Sequence, residues 1–536
     1  MSSSADVASP SWKASLASLA APVRWLCLVT YLAAVLRVAW VSDDAFITLD
    51  AVENLLSGYG LLHNPPERVQ GFSNPLWALL LIPVQAALRE PYYAVLLLSV
   101  TVSAAAAWLL AYRVARRDDL GAGALLLMLA SEAFLDYSTS GLENPLSCLL
   151  LALFCLVLFR DGPTKRRVIR LFVLGALLAV NRLDNVLLVA PALAYELARA
   201  RSLRAIGWAS LGLLPLWLWL LFALGYYGFF LPNTYYAKLN SDISFIAWLG
   251  QGLSYLVDSV SRDPVTLLTT LFVVGVGLTR RGFCPEEQPP ARTAARRAFA
   301  AGLLLYLLYV VRVGGDFMAG RFLVVPFYGA LLLLVREIGP RWSVTHWVGL
   351  AVAATLVIAT IDKAPANVEL VTCRLTPSGI VDERVCYQEH TALIHNLQIK
   401  QYQQHKYWIE GWQHREQHDP AFRHYAAGMA GYASGPKSHL IDENGLTDPL
   451  LARIEHKADP TQPWRVGHLR RVVPAGYEET VATGQNQLAD PCLRQYYDRL
   501  SLVTRGPIFS GRRLAAIFAF QVGAYDHLLQ PSCKPD

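Results

Sequence analysis

Two adjacent acidic residues, Asp43 and Asp44, stand where an apolar run of membrane-spanning length gives way to a polar loop. The apolar residues after them recur at helical spacing as far as Gly58, which predicts an amphipathic helix with both acids in its first turn. A carboxylate in that position can take a proton from a substrate hydroxyl as a general base. A structural interpretation also fits, in which Ser42 caps the helix and the acids favour the positive end of its dipole.

The same loop carries further groups suited to a phosphorylated, hydroxyl-rich ligand. Arg68 and Asn74 follow an Asn-Pro-Pro turn. Guanidinium and amide groups bind phosphate and hydroxyl oxygens well. A solvated loop has a similar composition, so contact with an acceptor and a purely structural role are both open for these two residues.

Charged residues at the ends of later apolar runs are the next candidates. Glu143 precedes Pro145 at the start of one run, where it either faces a ligand or satisfies the helix dipole. Arg182 and Asp184 lie in a hairpin so tight that both must be near the membrane boundary. These two residues either pair with each other or take part in binding.

Two more polar segments, PNTYYAKL and GGDFMAGR, follow apolar runs further along the chain. The first offers the amide of Asn233, the phenol of Tyr236 and the amine of Lys238. An interfacial lysine either snorkels to water or binds a phosphate. In the second segment, Arg321 either pairs with Asp316 or holds a lipid phosphate.

The composition indicates the elements that must position these groups. The chain has 536 residues, of which 54% are hydrophobic and 16% charged, so it is predicted to be a multi-pass helical membrane protein. The net charge of +6 comes from arginines in short loops between apolar runs, as the positive-inside rule expects. No basic groove for nucleic acid and no glycine-rich nucleotide loop is visible.

About eleven apolar runs are long enough to be predicted as spans, and they lie near 23–41, 92–112, 120–137, 145–159, 168–181, 184–198, 206–228, 263–279, 298–313, 321–336 and 344–361. If 75–88 is an interfacial or re-entrant helix, the basic loops all fall on the cytoplasmic side. The candidate residues above then share the opposite face, which makes them a site hypothesis.

This topology divides the chain into three parts. Residues 1–22 are predicted to be a cytoplasmic leader and residues 23–361 a transmembrane domain with a large extracytoplasmic first loop at 42–91. Residues 362–536 are predicted to form an extracytoplasmic soluble domain. In that compartment the tail cysteines, Cys373, Cys386, Cys492 and Cys533, are expected to form two disulfides in one of three connectivities, the alternative being buried free thiols.

Other groups in the tail have weaker functional interpretations. His414 and His418, with Asp419 and His424 nearby, have the spacing of a metal-binding face, although such spacing is common by chance in histidine-rich segments. A set of aromatic residues suits either sugar stacking or, preferably, core packing, and comprises Tyr402, Tyr407, Trp408 and Trp412.

Five motifs are specific in combination, namely DDAFITLD at Asp43–Asp50, GFSNPLW at Gly71–Trp77, GLENPL at Gly141–Leu146, LPNTYYAKL at Leu231–Leu239 and GGDFMAGRF at Gly314–Phe322. Together they resemble the actinobacterial terminal β-(1→2)-arabinofuranosyltransferase family and related pilin arabinosyltransferases, over roughly residues 38–340. The resemblance implies a GT-C type fold in the plasma membrane, with decaprenylphosphoryl-arabinofuranose as donor and cell-wall arabinan as acceptor. The product would leave on the periplasmic face. The tail shows no motif of the family.

A donor of this kind carries its own leaving group, so the enzyme needs a base for the acceptor and cations for the departing phosphate. Asp44 is the predicted base, with Asp43 as the second choice. The donor is expected to meet Arg182, Lys238, Arg321, Asp316, Asn233 and Tyr236. Acceptor contact or a structural role is expected for Glu143, Arg68, Asn74 and Asp184. No metal site is assigned, although a divalent cation on the paired aspartates is possible chemistry.

Other classes of protein also fit parts of the sequence. One is a transferase that moves another polyprenyl-phosphate sugar to a protein or glycolipid. Another is a transporter of lipid-linked sugars, which the absence of a visible repeat and of mid-span charges disfavours. A binding subunit without activity would not need the acid pair together with three phosphate candidates.

Overall fold

The computed structural model describes residues 12–160, 162, 164–283, 289–338, 378–458, 464–530 and 533. Helices dominate these residues, and the predicted fold class of a polytopic helical membrane protein is confirmed. The first sixteen helices are α1 Trp12–Arg37, α2 Asp43–Leu56, α3 Pro75–Leu88, α4 Pro91–Leu109, α5 Asp118–Ala130, α6 Glu132–Asp136, α7 Asn144–Leu158, α8 Lys165–Asn181, α9 Val186–Ala200, α10 Leu203–Gly212, α11 Leu214–Tyr227, α12 Asn233–Leu239, α13 Phe245–Arg262, α14 Pro264–Leu278, α15 Pro290–Arg312 and α16 Val324–Glu337.

Within the described residues, three helical segments are long and apolar enough to cross a membrane, at Leu19–Arg37, Pro91–Val114 and Pro290–Arg312. Two bent pairs raise this number to five if each pair is one broken span. They are α10 with α11, bent by 54°, and α13 with α14, bent by 113°. The predicted count of eleven stays a prediction, and the predicted span at 344–361 lies outside the described residues.

Short helices explain much of the difference between the eleven predicted spans and the smaller number of described helices that are long enough to cross a membrane. The apolar helix α7 has 15 residues, which gives about 22 Å of rise against a hydrocarbon core of about 30 Å. The predicted span at 206–228 is divided at Leu213, where α10 ends and α11 begins with Pro215 in its first turn. Helix α3 has 14 residues, and the interfacial or re-entrant interpretation of 75–88 stays a prediction.

Helix α16 lies at the centre of the bundle. Nearly all of its side chains are buried, as expected of a helix that is apolar on every face and surrounded by others. Helices α5, α7, α14 and α15 pack against it. The pairs α1 with α5 and α9 with α15 extend the bundle.

Small residues allow the closest of these approaches. At Gly302 of α15, an added Cβ would lie 2.0 Å from the backbone oxygen of Leu188 in α9. Only glycine lets the two helix backbones approach this closely, which is a packing mode typical of membrane helices.

The described residues of the tail form six helices and a small sheet. The helices are α17 Glu383–Thr391, α18 Lys406–Gln417, α19 Met429–Ser434, α20 Tyr477–Thr483, α21 Pro491–Arg505 and α22 Gly511–Gln521. The strands β1 Ala421–His424 and β2 His439–Asp442 pair in parallel, with Phe422 opposite Leu440. Other stretches of the described tail are turns and short 3₁₀ segments.

The tail shares its core with the first loop. Helix α2 packs against α19, and Ile47 of α2 lies in one apolar cluster with Phe422 and Leu440 of the sheet. Phe46, also in α2, contacts the rings of Tyr402 and Trp408 at centroid distances of 6.1 and 6.0 Å. These two rings are buried, in agreement with the preferred core interpretation, whereas Trp412 is 43% exposed.

The other tail predictions have mixed outcomes. A disulfide joins Cys492 to Cys533, and Cys386 is also disulfide-bonded, whereas Cys373 lies outside the described residues. The proposed histidine metal face does not assemble, because each ring has its own partner. His414 pairs with Asp419 at 2.7 Å, His424 with Glu410 at 2.8 Å, and His418 contacts the backbone oxygen of Glu416.

Candidate active site

A buried carboxylate, Glu143, connects three of the predicted site segments. It lies at the N-cap position of α7 and is 1% exposed. Its Oε1 accepts hydrogen bonds from Arg182 at 3.0 Å and from Arg321 at 3.3 Å. Its Oε2 accepts a hydrogen bond from the amide of Asn74 at 3.0 Å. Residues from the first loop, the α8–α9 hairpin and the segment before α16 therefore meet at one carboxylate.

Electrostatics keep Glu143 ionised. Burial alone would raise the pKa of its carboxyl group, but the charges of Arg321 and Arg182 outweigh that cost and lower the pKa to about 2. A permanently charged buried acid orients the two guanidinium groups through hydrogen bonds of the charge-assisted type. Glu143 is therefore suited to hold the arginines in place rather than to move a proton.

Arg321 links this network to the predicted base. Its Nη1 lies 3.4 Å from Asp316 and 3.7 Å from Asp44. Arg182 has a second partner in Asp184, at 2.8 Å, and its guanidinium lies over the ring of Phe322 at 4.3 Å. The predicted pairs Arg182–Asp184 and Arg321–Asp316 thus both form, and both arginines also take part in the shared cluster.

The loop that carries Asp316 and Arg321 is tightly packed. Gly315 has a φ of +72°, and an added Cβ would lie 2.4 Å from the ring of Tyr255. The Tyr255 hydroxyl donates to the carbonyl of Met318 and accepts from the amide of Phe322. Both the positive φ and the close ring require glycine at this turn.

The two adjacent aspartates have different partners. Asp43 is 6% exposed and accepts hydrogen bonds from the backbone amides of Met429 at 2.8 Å and Gly428 at 3.3 Å. Its carboxylate therefore binds the N-terminus of α19 in the tail. The side chain of Asp44 is 29% exposed and has Arg321 as its ion-pair partner. Within the pair, Asp44 is the carboxylate open to a substrate.

Ser42 does not provide the predicted cap. It occupies the N-cap position of α2 without a capping hydrogen bond, because its hydroxyl donates to the backbone oxygen of Ser140 at 3.1 Å. Burial raises the pKa of Asp44, and the charges of Arg321 and Lys238 act in the opposite direction. A raised pKa improves a carboxylate as a proton acceptor.

Lys238 differs from the arginines of the site, because no described residue pairs with it. Within the described part of the chain its ammonium group makes no ion pair or hydrogen bond, although every arginine of the site is paired. Burial lowers its pKa, whereas the nearby charges of Asp316 and Asp44 act to raise it. The tail residue Gly467 lies against it, since an added Cβ there would be 3.7 Å from the amine. Lys238 is therefore available to an anionic ligand.

Three other predicted ligand residues face the tail instead of this cluster. The amide of Asn233 donates to the carbonyls of Gly445 and Asp448 at 2.8 and 3.0 Å. Tyr236 lies under the guanidinium of Arg453 at 4.6 Å. Arg68 donates to the backbone oxygen of Gly506.

These contacts hold α12 and the first loop to the tail. Asn74, by contrast, is a positioning residue of the cluster, because its Oδ1 accepts from Thr48 at 3.0 Å while its amide holds Glu143. The ligand roles predicted for Asn233, Tyr236 and Arg68 stay predictions. In this structure the amide of Asn233 and the guanidinium of Arg68 are hydrogen-bonded to the tail, and the ring of Tyr236 packs against Arg453.

Sequence reasoning missed a contribution from the tail. The carboxyl group of Glu383 is buried, with Arg465 at 3.2 Å, and Arg465 lies over the ring of Phe317 at 4.4 Å. Burial raises the pKa of Glu383 to about 8, and the charges of Asp44 and Asp43 add to the shift although Arg465 opposes it.

The connection that brings Glu383 to the site is a backbone pairing. The amide of Val381 donates to the carbonyl of Phe317 at 2.8 Å, and the amide of Ala319 donates to Val381 at 2.9 Å. A short apolar segment, Gly379–Val381, was the only signal for this pairing in the sequence. It was too short to be read as a strand.

The arrangement can bind an anion and accept a proton. Arg321 and Lys238 lie near the partly exposed carboxylate of Asp44, and Arg182 joins Arg321 at Glu143. This arrangement suits a phosphate leaving group beside a nucleophilic hydroxyl. The paired aspartates do not form a metal-binding group among the described residues. Three carboxylates with the spacing for a shared ion lie elsewhere, at Glu132, Asp136 and Asp382.

Comparison with known proteins gives two curated relatives with the same name. A terminal β-(1→2)-arabinofuranosyltransferase of Mycobacterium tuberculosis is 31% identical over 414 residues, which is 68% of this chain and 64% of the relative. One of Corynebacterium glutamicum is 31% identical over 365 residues, 60% of this chain and 51% of the relative. The predicted resemblance is confirmed. The chain spans less than two thirds of the length of either relative.

Solved structures give a more distant likeness. ArnT from Cupriavidus metallidurans bound to undecaprenyl phosphate is 11% identical, with a TM-score of 0.44 over 80% of this chain and 86% of that one. The apo form of the same protein has a TM-score of 0.43. No family profile matches the chain.

Proposed function

We propose that the chain is an inverting glycosyltransferase of GT-C type. It moves arabinofuranose from a polyprenyl-phosphate donor to the non-reducing end of a cell-wall arabinan. Its site and tail lie on the periplasmic face of the plasma membrane. The curated relatives carry the name of this activity, and the chemistry of the cluster supports it.

The observation that carries the proposal is a partly exposed carboxylate near a cation that has no ion pair among the described residues. Asp44 is the exposed acid of the site, and Lys238 is the cation that the protein leaves free among its described residues. A partly buried cation without a partner is unfavourable unless a ligand supplies the opposite charge. A departing phosphate provides that charge.

The reaction follows as a direct displacement. Asp44 accepts the proton of the acceptor hydroxyl while that oxygen attacks the anomeric carbon from the face opposite the phosphate. The bond from the anomeric carbon to the phosphate oxygen breaks, and its electron pair leaves with the phosphate. Lys238 and Arg321 stabilise this developing charge, and inversion at the anomeric carbon follows from the single displacement.

Glu143 and Asn74 serve the reaction indirectly. Because Glu143 stays ionised between Arg182 and Arg321, it holds both guanidinium groups at the place where the phosphate would lie. Asn74 fixes the second oxygen of Glu143. Fixed charges of this kind need no reorganisation when the leaving group departs.

A second candidate function is the transfer of another polyprenyl-phosphate sugar to a protein or glycolipid. The observation that favours it is the position of Glu383 and Arg465 beside the site. Both residues belong to the tail, which shows no motif of the family. A transporter of lipid-linked sugars would need no open carboxylate beside the phosphate cations.

The test uses the purified full chain with synthetic prenyl-phosphate arabinofuranose and an arabinan oligosaccharide. A β-(1→2)-linked product is expected, and NMR of that product gives the linkage and the anomeric configuration. A product formed only with a peptide or glycolipid acceptor would select the second candidate. Donor binding without any product, in all acceptor mixtures, would remove the enzymatic proposal.

A further inference from the structure

A separate small cavity of about 20 Å³ lies where α6, the end of α13 and the tail residue Asp382 meet. Its walls carry an unusual number of acids, namely Glu132, Asp136, Asp258, Asp263 and Asp382, together with Arg262. None of these residues belongs to the cluster around Glu143. The cavity is therefore a second polar centre of the molecule.

Three of the acids converge on one point. Glu132 and Asp136 are four residues apart on α6 and so lie on the same face of that helix. Asp382 comes from the tail, immediately before α17. One carboxylate oxygen from each of the three lies within 4.8 Å of those of the others.

Nearby cations neutralise only part of this charge. Arg262 pairs with Asp258 at 2.9 Å, and Arg384 pairs with Asp136 at 2.6 Å. Glu132 has no ion pair or hydrogen bond within the described residues. Asp382 accepts one hydrogen bond, from the amide of Val385 at 3.1 Å, and has no ion pair there.

Asp263 differs from Glu132 and Asp382, because hydrogen bonds from neighbouring groups compensate its carboxylate. It accepts from the amide of Ala133 at 3.0 Å and the amide of Thr266 at 3.2 Å. The hydroxyl of Ser131 also donates to it, at 3.2 Å. Among the described residues, the acids of the cavity that have no ion pair and at most one hydrogen bond are therefore Glu132 on α6 and Asp382 in the tail.

An independent feature points to a ligand in the same place. Ser259 of α13 lines the cavity and is 3% exposed, and its hydroxyl has no hydrogen-bond partner in the described part of the chain. Buried hydroxyl groups are nearly always hydrogen-bonded, so an orphan one calls for a partner. Carboxylate and hydroxyl oxygens together are ligands preferred by hard divalent cations.

We propose that Glu132, Asp136 and Asp382 bind a divalent cation, which we assign as calcium. This ion would connect the tail to the helical domain that contains α6. Calcium accepts six to eight oxygen ligands in irregular geometry, whereas magnesium demands a near-octahedral set. Three carboxylates and a hydroxyl with no common symmetry suit the larger ion.

The position gives the ion a structural consequence. Asp382 follows Val381, which pairs with the backbone of Phe317 and Ala319 in the loop between Asp316 and Arg321. The ion would fix the segment that also delivers Glu383 to the site. The proposal does not depend on the identity of the transferred sugar.

The test is thermal unfolding of the purified full chain after removal of metals with EDTA, followed by titration with calcium chloride or magnesium chloride. Calcium is expected to raise the melting temperature saturably, by about 2–4 °C. Glu132→Gln and Asp382→Asn should each abolish the rise. Glu478→Gln, which removes an exposed tail carboxylate paired with Arg423, should keep it.

The melting temperature of Glu132→Gln without metal distinguishes a metal-binding carboxylate from one that is simply protonated. In EDTA, Glu132→Gln should melt at or above the temperature of the unsubstituted chain, because the substitution relieves repulsion; with calcium the unsubstituted chain should melt higher. No response of the unsubstituted chain to either ion, or an equal response of Glu132→Gln, overturns the proposal. A response to magnesium alone overturns the choice of calcium.

Discussion

The protein contains two buried clusters of acids that differ in their balance of charge. Around Glu143, the acids alternate with Arg182 and Arg321, and Lys238 has no ion-pair partner among the residues that the structure describes. Around Glu132, arginines pair with some of the acids and two carboxylates are left over. One cluster is therefore suited to an anionic ligand and the other to a cation, although both are built from carboxylates and guanidinium groups.

The residual charge of a cluster, and not its composition, therefore indicates its ligand. An arginine held between acids by several hydrogen bonds is fixed in place but is not free. Within the described chain, the group left without a partner is Lys238 in one cluster and Glu132 in the other. Substitutions in the two clusters and in the tail wall of the site test this difference, and they are taken from the largest expected effect to the smallest.

The largest effect is expected for Asp44→Asn. An isosteric amide cannot accept the proton of the acceptor hydroxyl, so turnover should fall by about 10² to 10⁴-fold with donor binding nearly unchanged. Turnover at saturating donor and donor affinity in the absence of acceptor measure the two effects separately.

Asp43→Asn is the matched control for this substitution. Asp43 binds the backbone of Gly428 and Met429, so its amide variant should lower stability and keep turnover within about ten-fold of the unsubstituted chain. Equal losses of turnover in both variants would assign the base to neither residue alone. Near-normal turnover in Asp44→Asn would leave the pair as a structural feature of α2.

Several members of the site could be predicted from the sequence, for a physical reason. Charged residues at the ends of apolar helices must face water or each other, so Glu143, Arg182 and Arg321 could be assigned to one membrane face from charge alone. Their hydrogen bonds to one another could not be predicted, because these depend on how α7, α8 and α16 pack.

The rest of the site depends on contacts between distant parts of the chain. Glu383 reaches it through the pairing of Val381 with Phe317, which no local pattern reveals. Asn233 lies in the same polar segment as Lys238 and so looks like a ligand residue in the sequence. In the structure it lies in the interface with the tail. The break at Leu213 within a continuous apolar run shows a similar limit for the fold, because apolarity alone does not determine where a helix bends.

The second prediction compares the removal of one acid from each cluster. Glu143→Gln leaves two buried guanidinium groups short of a partner, so the free energy of unfolding should fall by about 3–5 kcal/mol. Glu132→Gln should have the opposite sign in EDTA, since it relieves repulsion. Denaturant unfolding of both variants measures this, and a change of the same sign in the two would erase the contrast between the clusters.

The third prediction concerns the free cation. Lys238→Ala should weaken donor binding by about 1.5–3 kcal/mol, the loss expected for a charge-assisted hydrogen bond. Lys400→Ala removes an exposed lysine that pairs with Glu90 at 2.8 Å and serves as the control, with donor affinity unchanged. Calorimetric titration with a prenyl phosphate gives both values. Equal affinities in the two variants would show that Lys238 does not bind the phosphate.

The smallest effect on turnover is expected for Glu383→Gln, because the carboxyl group of Glu383 has its pKa raised to about 8 by burial. At neutral pH the folded protein already holds this group in its neutral form, which the amide imitates. Turnover below pH 8 should therefore match that of the unsubstituted chain. Any change should begin above that pH, where the native group ionises beside Asp44.

Stability gives an independent check on the same group. An unfolded glutamate ionises near pH 4.3, roughly its reference pKa. Between that pH and about 8 the folded chain binds the extra proton, so this contribution to stability is present below pH 4.3 and is lost as pH rises through 8. Glu383→Gln lacks that loss, and its melting temperature relative to the unsubstituted chain should rise across this window and then level off. Parallel melting curves over the whole pH range would show that Glu383 is ionised in the folded protein, and the site would then carry one more negative charge against Lys238 and the two arginines.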